Sequence, residues 1–346
     1  MNLLSVLLPT YNEAGNLAPL VGEIKKTVPD AEIIIIDDAS PDGTGETADR
    51  LASEYENVRV IHRAQKLGLS SAVLVGAAVS EGQFVAVMDC DMQHPPQLLA
   101  AMLKTAQSGA DVVIASRYTE GGGSSAGIFR RALSRGATVV THLMMPETRK
   151  IMDPLSGYFL CRRELLLKVR VPSGSYKILL PLIASMGLNK RIMEIPFVFA
   201  KRYAGKSKFG VSETVRFLYL LLNLSNYRLF KFVAVGVAGA IVNELLLFLL
   251  VPHMELLLAS AAAIEASIVS NFAMNNVWTF ARRKSSSLFS RFAKYNGIAL
   301  IGAVTNITLL AVLVLARLEY LAANFVGIVA GFAANYLGSE HMVWKL

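Results

Sequence analysis

The sequence predicts an α/β domain built on an open, mainly parallel sheet, followed by an all-α domain of four membrane-spanning helices. Three observations carry this. Short apolar runs rich in β-branched residues alternate with helical segments through residues 1–210. Polar segments follow the ends of those runs, where ligands bind in open α/β sheets. From residue 230 onward, long stretches are almost without charge. The 346 residues are 53% hydrophobic with a mean hydropathy of +0.46, too apolar for an ordinary soluble enzyme. The net charge of +8 does not point to nucleic acid, because basic residues fall beside the apolar stretches and suit anionic lipid headgroups. Cys90 and Cys161 are too few for a disulfide framework and fit a reducing compartment. Met1-Asn2 offers no basic n-region, so a signal peptide is not expected and the first half should stay in the cytosol.

Taken in order, Leu3–Leu8, Glu32–Ile36, Val58–Ile61, Phe84–Met88 and Asp111–Ala115 are β-rich and mostly apolar throughout. That is the mark of parallel strands covered on both faces. The segments after them are Pro9-Thr10-Tyr11-Asn12-Glu13, Asp37-Asp38-Ala39-Ser40-Pro41-Asp42, Asp89–Gln93 and Ser116-Arg117-Tyr118. All should converge on one crevice. Asp89 and Asp91, where a buried strand surfaces, suit a hard divalent cation held through oxygen. Such a cation bridges and neutralises a nucleotide diphosphate. Taken alone, the pair equally fits two solvated aspartates, and Asp38–Gly43 equally fits a turn and helix cap. No His/Cys set accompanies Cys90, whose expected role is packing.

The ordered set P-T-Y-N-E, D-D-A-S-P-D, K-x-G-L, D-x-D-x-Q-H-P-P and S-R-Y resembles the family 2 glycosyltransferases of GT-A fold. More narrowly it is similar to the dolichol- and polyprenyl-phosphate mannose synthases, over essentially residues 1–210. The resemblance implies that Pro9, Tyr11 and Glu13 cradle base and ribose, joined by Ser40, with Asp37 or Asp38 reading a base edge or ribose. Lys66 would lie near the nucleotide, and Asp89, Asp91 and Gln93 would hold Mg²⁺ or Mn²⁺, diphosphate and sugar. It also implies an inverting transfer, catalysed around Asp89, Asp91 and Arg117, that gives a β-linked prenyl-phosphate sugar.

The acceptor side shows in a helix expected near 129–145. Its apolar residues are Phe129, Ala132, Leu133, Gly136, Ala137, Val140, Leu143 and Met144, and the opposite face carries Arg130, Arg131, Ser134, Arg135, Thr138 and His142. An acid-free, arginine-bearing amphipathic helix suits a membrane surface, although the pattern also fits an ordinary surface helix on the sheet. A second amphipathic segment, residues 211–229, links to the first span. An acceptor phosphate needs fixed cations; the candidates are Arg117, Arg130, Arg202 and Lys208, with Ser134 one turn after Arg130. Arg202–Lys208 matches the segment that closes over the acceptor phosphate in the resembling synthases. Its Gly-Lys-Ser is not a P-loop, because Ala200 stands where the first glycine is required. Asp153–Phe159 matches a family segment expected to shape the sugar pocket, and equally reads as a turn and strand. A phosphate nucleophile is already anionic, so no general base is needed.

Phe230–Val251, Leu256–Asn275, Tyr295–Ala316 and Tyr320–Gly338 are each about long enough to span a bilayer. The loop Arg282–Lys294 is basic and acid-free, hence cytosolic, which puts the first domain and the C-terminus on the cytosolic side. Lys231-Phe232…Gly239-Ala240-Ile241-Val242-Asn243 recurs as Lys294-Tyr295…Gly302-Ala303-Val304-Thr305-Asn306, so residues 230–346 read as two tandem hairpins. The pattern resembles the GtrA-like membrane domain. Asn243, Asn271, Asn306 and Asn335 are expected to pack helices together, while Glu244 and Glu265 remain open as functional groups.

The leading expectation is GDP-mannose-dependent transfer to dolichyl or polyprenyl phosphate. The rivals are the same chemistry with UDP-glucose, a processive synthase, and a lipid-linked sugar flippase or anchoring protein. A processive synthase would carry Q-x-x-R-W, and this chain has no Arg-Trp pair.

Overall fold

The computed structural model describes all residues except 1–2, 126, 172–174, 187–189, 201–209, 284–285 and 346. Arg202 and Lys208 lie outside the described residues. The chain divides into two units, Met1–Leu224 and Ser225–Leu346.

The first unit runs β1 (Leu4–Thr10), α1 (Ala14–Thr27), β2 (Glu32–Asp37), α2 (Thr44–Glu54), β3 (Val58–His62), α3 (Leu69–Val79), β4 (Phe84–Val87), α4 (Leu98–Gln107) and β5 (Val112–Ser116). It continues with β6 (Gly123–Ser124), α5 (Ile128–Met144), β7 (Phe159–Arg162), α6 (Arg163–Leu166), α7 (Leu179–Met186), β8 (Ile192–Pro196), β9 (Val198–Phe199) and α8 (Val211–Leu224). The main sheet has the order β3-β2-β1-β4-β7-β5-β8. Its pairings are parallel except those of β7, which runs antiparallel between β4 and β5. Alternation across the pleat builds a core on each face. Val6, Leu8, Ile33 and Ile35 pack with Leu17, Leu20 and Ile24 of α1 and Leu99 and Met102 of α4. Leu7, Ile34 and Ile36 pack on the other face with Ala72 and Val73 of α3 and Leu179 and Leu182 of α7. Each fully buried aliphatic side chain contributes about 1.5–3 kcal/mol. Asp153–Gly157 is the turn of the turn-and-strand reading, and Phe159 opens its strand.

Helix α5 forms where the apolar spacing places it, and its apolar residues face away from the domain. Phe129 is 80% exposed and Leu133 48%, whereas Thr138 and Thr141 are buried. Only Ala137 and Met144 of the expected apolar face pack inward, beside Phe217 and Leu221 of α8. Phe129 and Leu133 are thus left outward rather than packed on the sheet. An outward apolar face flanked by exposed Arg130, Arg131 and Arg135 suits a bilayer surface.

The second unit holds α9 (Arg228–Leu250), α10 (Leu256–Met274), α11 (Leu288–Leu315) and α12 (Tyr320–Gly338). All four are long and apolar enough to cross a membrane, and few of their residues are buried. Helix α11 begins well before Tyr295, so Arg291 and Lys294 lie in the helix rather than in a loop. Of the basic residues expected in a solvated loop, Arg283 and Arg291 are buried. Arg283 pairs with Glu340, as does Arg228, and Arg291 donates to Asn276 Oδ1 at 2.7 Å. The repeat is structural. Asn271 lies over Gly239 and Asn335 over Gly302, so close that a Cβ on either glycine would fall 2.2 or 2.1 Å from the amide oxygen. Asn306 sits likewise against Gly327. Glu244 and Glu265 are exposed on the bundle.

Candidate active site

The site assembles at the carboxyl ends of β1, β2, β4 and β5. Three of the loops there hold a non-glycine residue in the left-handed region, namely Asn12 (φ 56°), Ala39 (φ 55°) and Met92 (φ 62°). Such backbone costs on the order of 1–3 kcal/mol per residue and gathers where function over-determines the geometry.

The first two loops are laced together. Asn12 N donates to Ser40 Oγ at 2.9 Å, Glu13 N to Thr44 Oγ1 at 2.9 Å, and Ala14 N to Asp42 Oδ2 at 3.3 Å. Asp42 also accepts from Thr44 N, satisfying a donor at the start of α2. Glu13 accepts from Asn16 Nδ2 at 2.7 Å. Buried Asp37 accepts from Ser40 N and Ser40 Oγ. Buried Asp38 pairs with Arg63 and accepts from Leu67 N at 3.2 Å and Gly68 N at 3.0 Å. Both aspartates therefore shape loops, and Asp38 holds the turn that presents Lys66. Lys66 Nζ lies 3.7 Å from the centroid of the Tyr11 ring, a cation–π contact that brings these two side chains together.

Beyond β4, Asp89 is part-exposed and Asp91 buried. Asp91 Oδ1 accepts from Gln93 N at 3.1 Å, and Gln93 Nε2 donates to Ala200 O at 2.9 Å. That bond commits the amide nitrogen and leaves Oε1 as the atom that can serve a cation. His94 lies buried among Tyr158, Phe197 and Phe199. Its Nδ1 accepts from Asp89 N at 3.0 Å, so the ring proton belongs on Nε2, which faces Asp89 Oδ2 at 3.8 Å. Burial pushes the ring down to about 4, partly offset by Asp91, and keeps it neutral at pH 7.

After β5, Arg117 grips wholly buried Asp153 through Nε (2.7 Å) and Nη2 (2.8 Å), and its own backbone N joins at 3.1 Å. Asp153 N donates in turn to Glu194. Tyr118 Oη donates to Ser134 Oγ at 2.7 Å, tying the next residue to α5. Arg130, in the first turn of α5, is exposed. Lys177 was not among the residues singled out from the sequence. Its Nζ donates to Leu155 O at 2.7 Å, and its ammonium is coupled electrostatically to Arg117, Asp89 and Asp153. Burial, and after it Arg117, push it down to about 8. The pairing of Asp153 with Arg117, and Lys177 altogether, are the parts sequence reasoning missed. The first had a signal in its motif segment, the second only its isolation in an apolar run.

Among the described residues no three His, Cys, Asp or Glu side chains converge as a metal cage. Two carboxylates and an amide oxygen still fit a hard cation that completes its shell with water and substrate phosphate, as Mg²⁺ does.

Residues 5–170 match the model of glycosyl transferase family 2, and residues 231–344 that of the GtrA/DPMS transmembrane domain. The chain is 38% identical to a dolichol-phosphate mannosyltransferase of Pyrococcus furiosus, over 98% of this chain and 99% of that one. It is 37% identical to a polyprenol monophosphomannose synthase of Mycolicibacterium smegmatis, over 60% of this chain and 81% of the relative. Among solved structures, a Mycobacterium tuberculosis glucosyl-3-phosphoglycerate synthase in complex with Mn²⁺ and UDP-glucose superposes with a TM-score of 0.52. The match covers 65% of this chain and 80% of that one at 21% identity, a likeness of fold alone.

Proposed function

The chain belongs to glycosyl transferase family 2 as a multi-pass membrane glycosyltransferase, and from that membership we propose that it transfers mannose from GDP-mannose to dolichyl or polyprenyl phosphate. The observation that carries the reading is the near-full-length likeness to the P. furiosus enzyme, membrane domain included.

In this reading Tyr11, with Lys66 over its ring, Pro9 and Glu13 receive the nucleoside. Asp37, Asp38 and Ser40 keep their loops in place around it. Asp89, Asp91 and Gln93 would hold Mg²⁺ or Mn²⁺, whose positive charge would supply neutralisation of the diphosphate. Arg117, fixed by Asp153, faces the acceptor phosphate, with Ser134 and Arg130 on α5 and Arg202 and Lys208 completing its charge. The outward apolar face of α5 rests in the cytosolic leaflet, where a prenyl phosphate presents its headgroup. A phosphate oxygen attacks the anomeric carbon in line as GDP leaves, inverting the centre. No residue need take a proton, so positioning and charge neutralisation supply the rate.

The test is purified protein with Mn²⁺ and a polyprenyl phosphate, given GDP-mannose or UDP-glucose in parallel, with lipid-soluble sugar as the readout. Transfer from GDP-mannose that Asp91→Ala abolishes is the expected result. Transfer from UDP-glucose alone would refute the donor, and none from either would refute the acceptor.

A further inference from the structure

One cation in the crevice has no task in the mechanism above. Lys177 lies just before α7, half-buried, and one of its three N–H donors goes to the Leu155 carbonyl at 2.7 Å. Leu155 stands midway along a short segment with two other duties. Asp153, at one end, grips Arg117. Gly157, at the other, lies so near Asp89 that an added Cβ would fall 3.4 Å from its Oδ2. Lys177 is thereby moored between the arginine of the acceptor side and the aspartate of the metal side.

The charges around it are unequal. Arg117 is neutralised by a two-point ion pair with Asp153. Among the described residues no carboxylate ion-pairs with Lys177, whose bond to Leu155 O is to a neutral acceptor. Half-burying an ammonium beside a guanidinium costs free energy that one carbonyl and the Tyr176 ring, its centroid 5.7 Å from Nζ, do not offset. Its depressed ionisation, to about 8, reports that cost and still leaves it mostly charged at pH 7. A cation held so, with donors to spare, is matched by an anion that arrives with the substrate. A lysine also suits a phosphoryl oxygen that moves during reaction, because its compact charge lacks the fixed fork of arginine.

We propose that Lys177 binds a phosphoryl oxygen of substrate in this crevice, the acceptor's phosphate before the donor's diphosphate. The order rests on the prenyl-phosphate reading above, in which the diphosphate already has the metal while Arg117 is half spent on Asp153.

The experiment uses the full-length protein with Mn²⁺ and three variants, Lys177→Met, Lys177→Gln and Lys177→Arg. Gln keeps a donor for Leu155 without charge, and melting temperatures check that each variant is folded. One arm measures kcat and KM for polyprenyl phosphate at saturating donor; the other titrates GDP. Met and Gln should both lower acceptor kcat/KM by about 10- to 100-fold, the worth of one charge-assisted hydrogen bond, with GDP affinity within about twofold of the parent. Arg should recover most of the loss. A fall in GDP affinity instead would assign the same chemistry to the donor diphosphate. Gln restoring what Met loses would overturn the proposal, since Lys177 would then only hold Leu155, and so would wild-type behaviour of Met in both arms. If the unmodified protein transfers no sugar to prenyl phosphate, the acceptor reading fails by itself, and the GDP arm still tests Lys177.

Discussion

Replacing Asp153 by asparagine keeps the outline of the site and removes one charge. The carboxylate is fully buried and accepts from Arg117 Nε, Nη2 and N at 2.7, 2.8 and 3.1 Å. Asparagine offers one oxygen, and its NH₂ then meets a guanidinium N–H head-on. Breaking a buried ion pair from one side costs about 3–5 kcal/mol. The Arg117 side chain keeps 17% exposure, so water relieves part of this and about 3 kcal/mol is expected. At about 2–4 °C per kcal/mol for a unit of this size, its melting temperature should fall by about 6–12 °C. The assay is thermal unfolding in detergent without nucleotide or metal, completed as a double-mutant cycle. In an Arg117→Met background the same replacement should cost less than about 1 kcal/mol, because the unpaired cation is gone. An equal cost in both backgrounds would show that the two residues are not coupled, and the placement of Arg117 by Asp153 would fall with it.

His94 gives a pH dependence with a definite sign. Its folded value of about 4 lies below the unfolded 6.5, so the stability of its neutral form is complete above pH 6.5 and is lost as pH falls towards 4. In EDTA that should amount to roughly 3 kcal/mol across the window; if His94→Gln unfolds with the same pH slope, the assignment is wrong. On α5, Phe129→Ser with Leu133→Ser removes outward apolar surface, so thermal stability should hold while transfer to bilayer-embedded acceptor falls about tenfold or more. A drop in melting temperature with transfer unchanged would place that face in the core instead. In the bundle, Gly302→Ala drives a methyl into Asn335 and should destabilise it by about 1–3 kcal/mol, relieved when Asn335→Ala is added. Denaturation in detergent that shows no relief would mean the two do not touch.

The sheet and the spans were legible because each depends on local regularities. Continuous apolar runs such as Ile33–Ile36 suit only strands buried on both faces, and stretches such as Phe230–Val251 are too long and apolar for anything but a bilayer. The motif residues could be placed on one edge because the carboxyl ends of parallel strands emerge together. Strand β7 was not foreseen as the antiparallel insertion between β4 and β5, since its four residues carry no sign of which neighbours they join. The face that α5 turns inward was also undetermined, for periodicity shows that one side is apolar and not what lies against it. The division of labour among charges was hidden too. Asp38 read like other strand-end acids, and Asp153 as the opening of a pocket-shaping or turn segment, until the structure set Arg63 and Arg117 against them.

By itself, then, the sequence determined the α/β domain, the membrane helices and the family chemistry, because pattern and motif are short-range properties of the chain. Only the tertiary structure decided which carboxylates are spent on arginines, where Lys177 finds its acceptor, and which way an amphipathic helix faces. Those depend on distances of a few ångströms between residues such as Arg117 and Asp153, or Lys177 and Leu155, that lie tens of positions apart and meet only when the sheet closes the crevice.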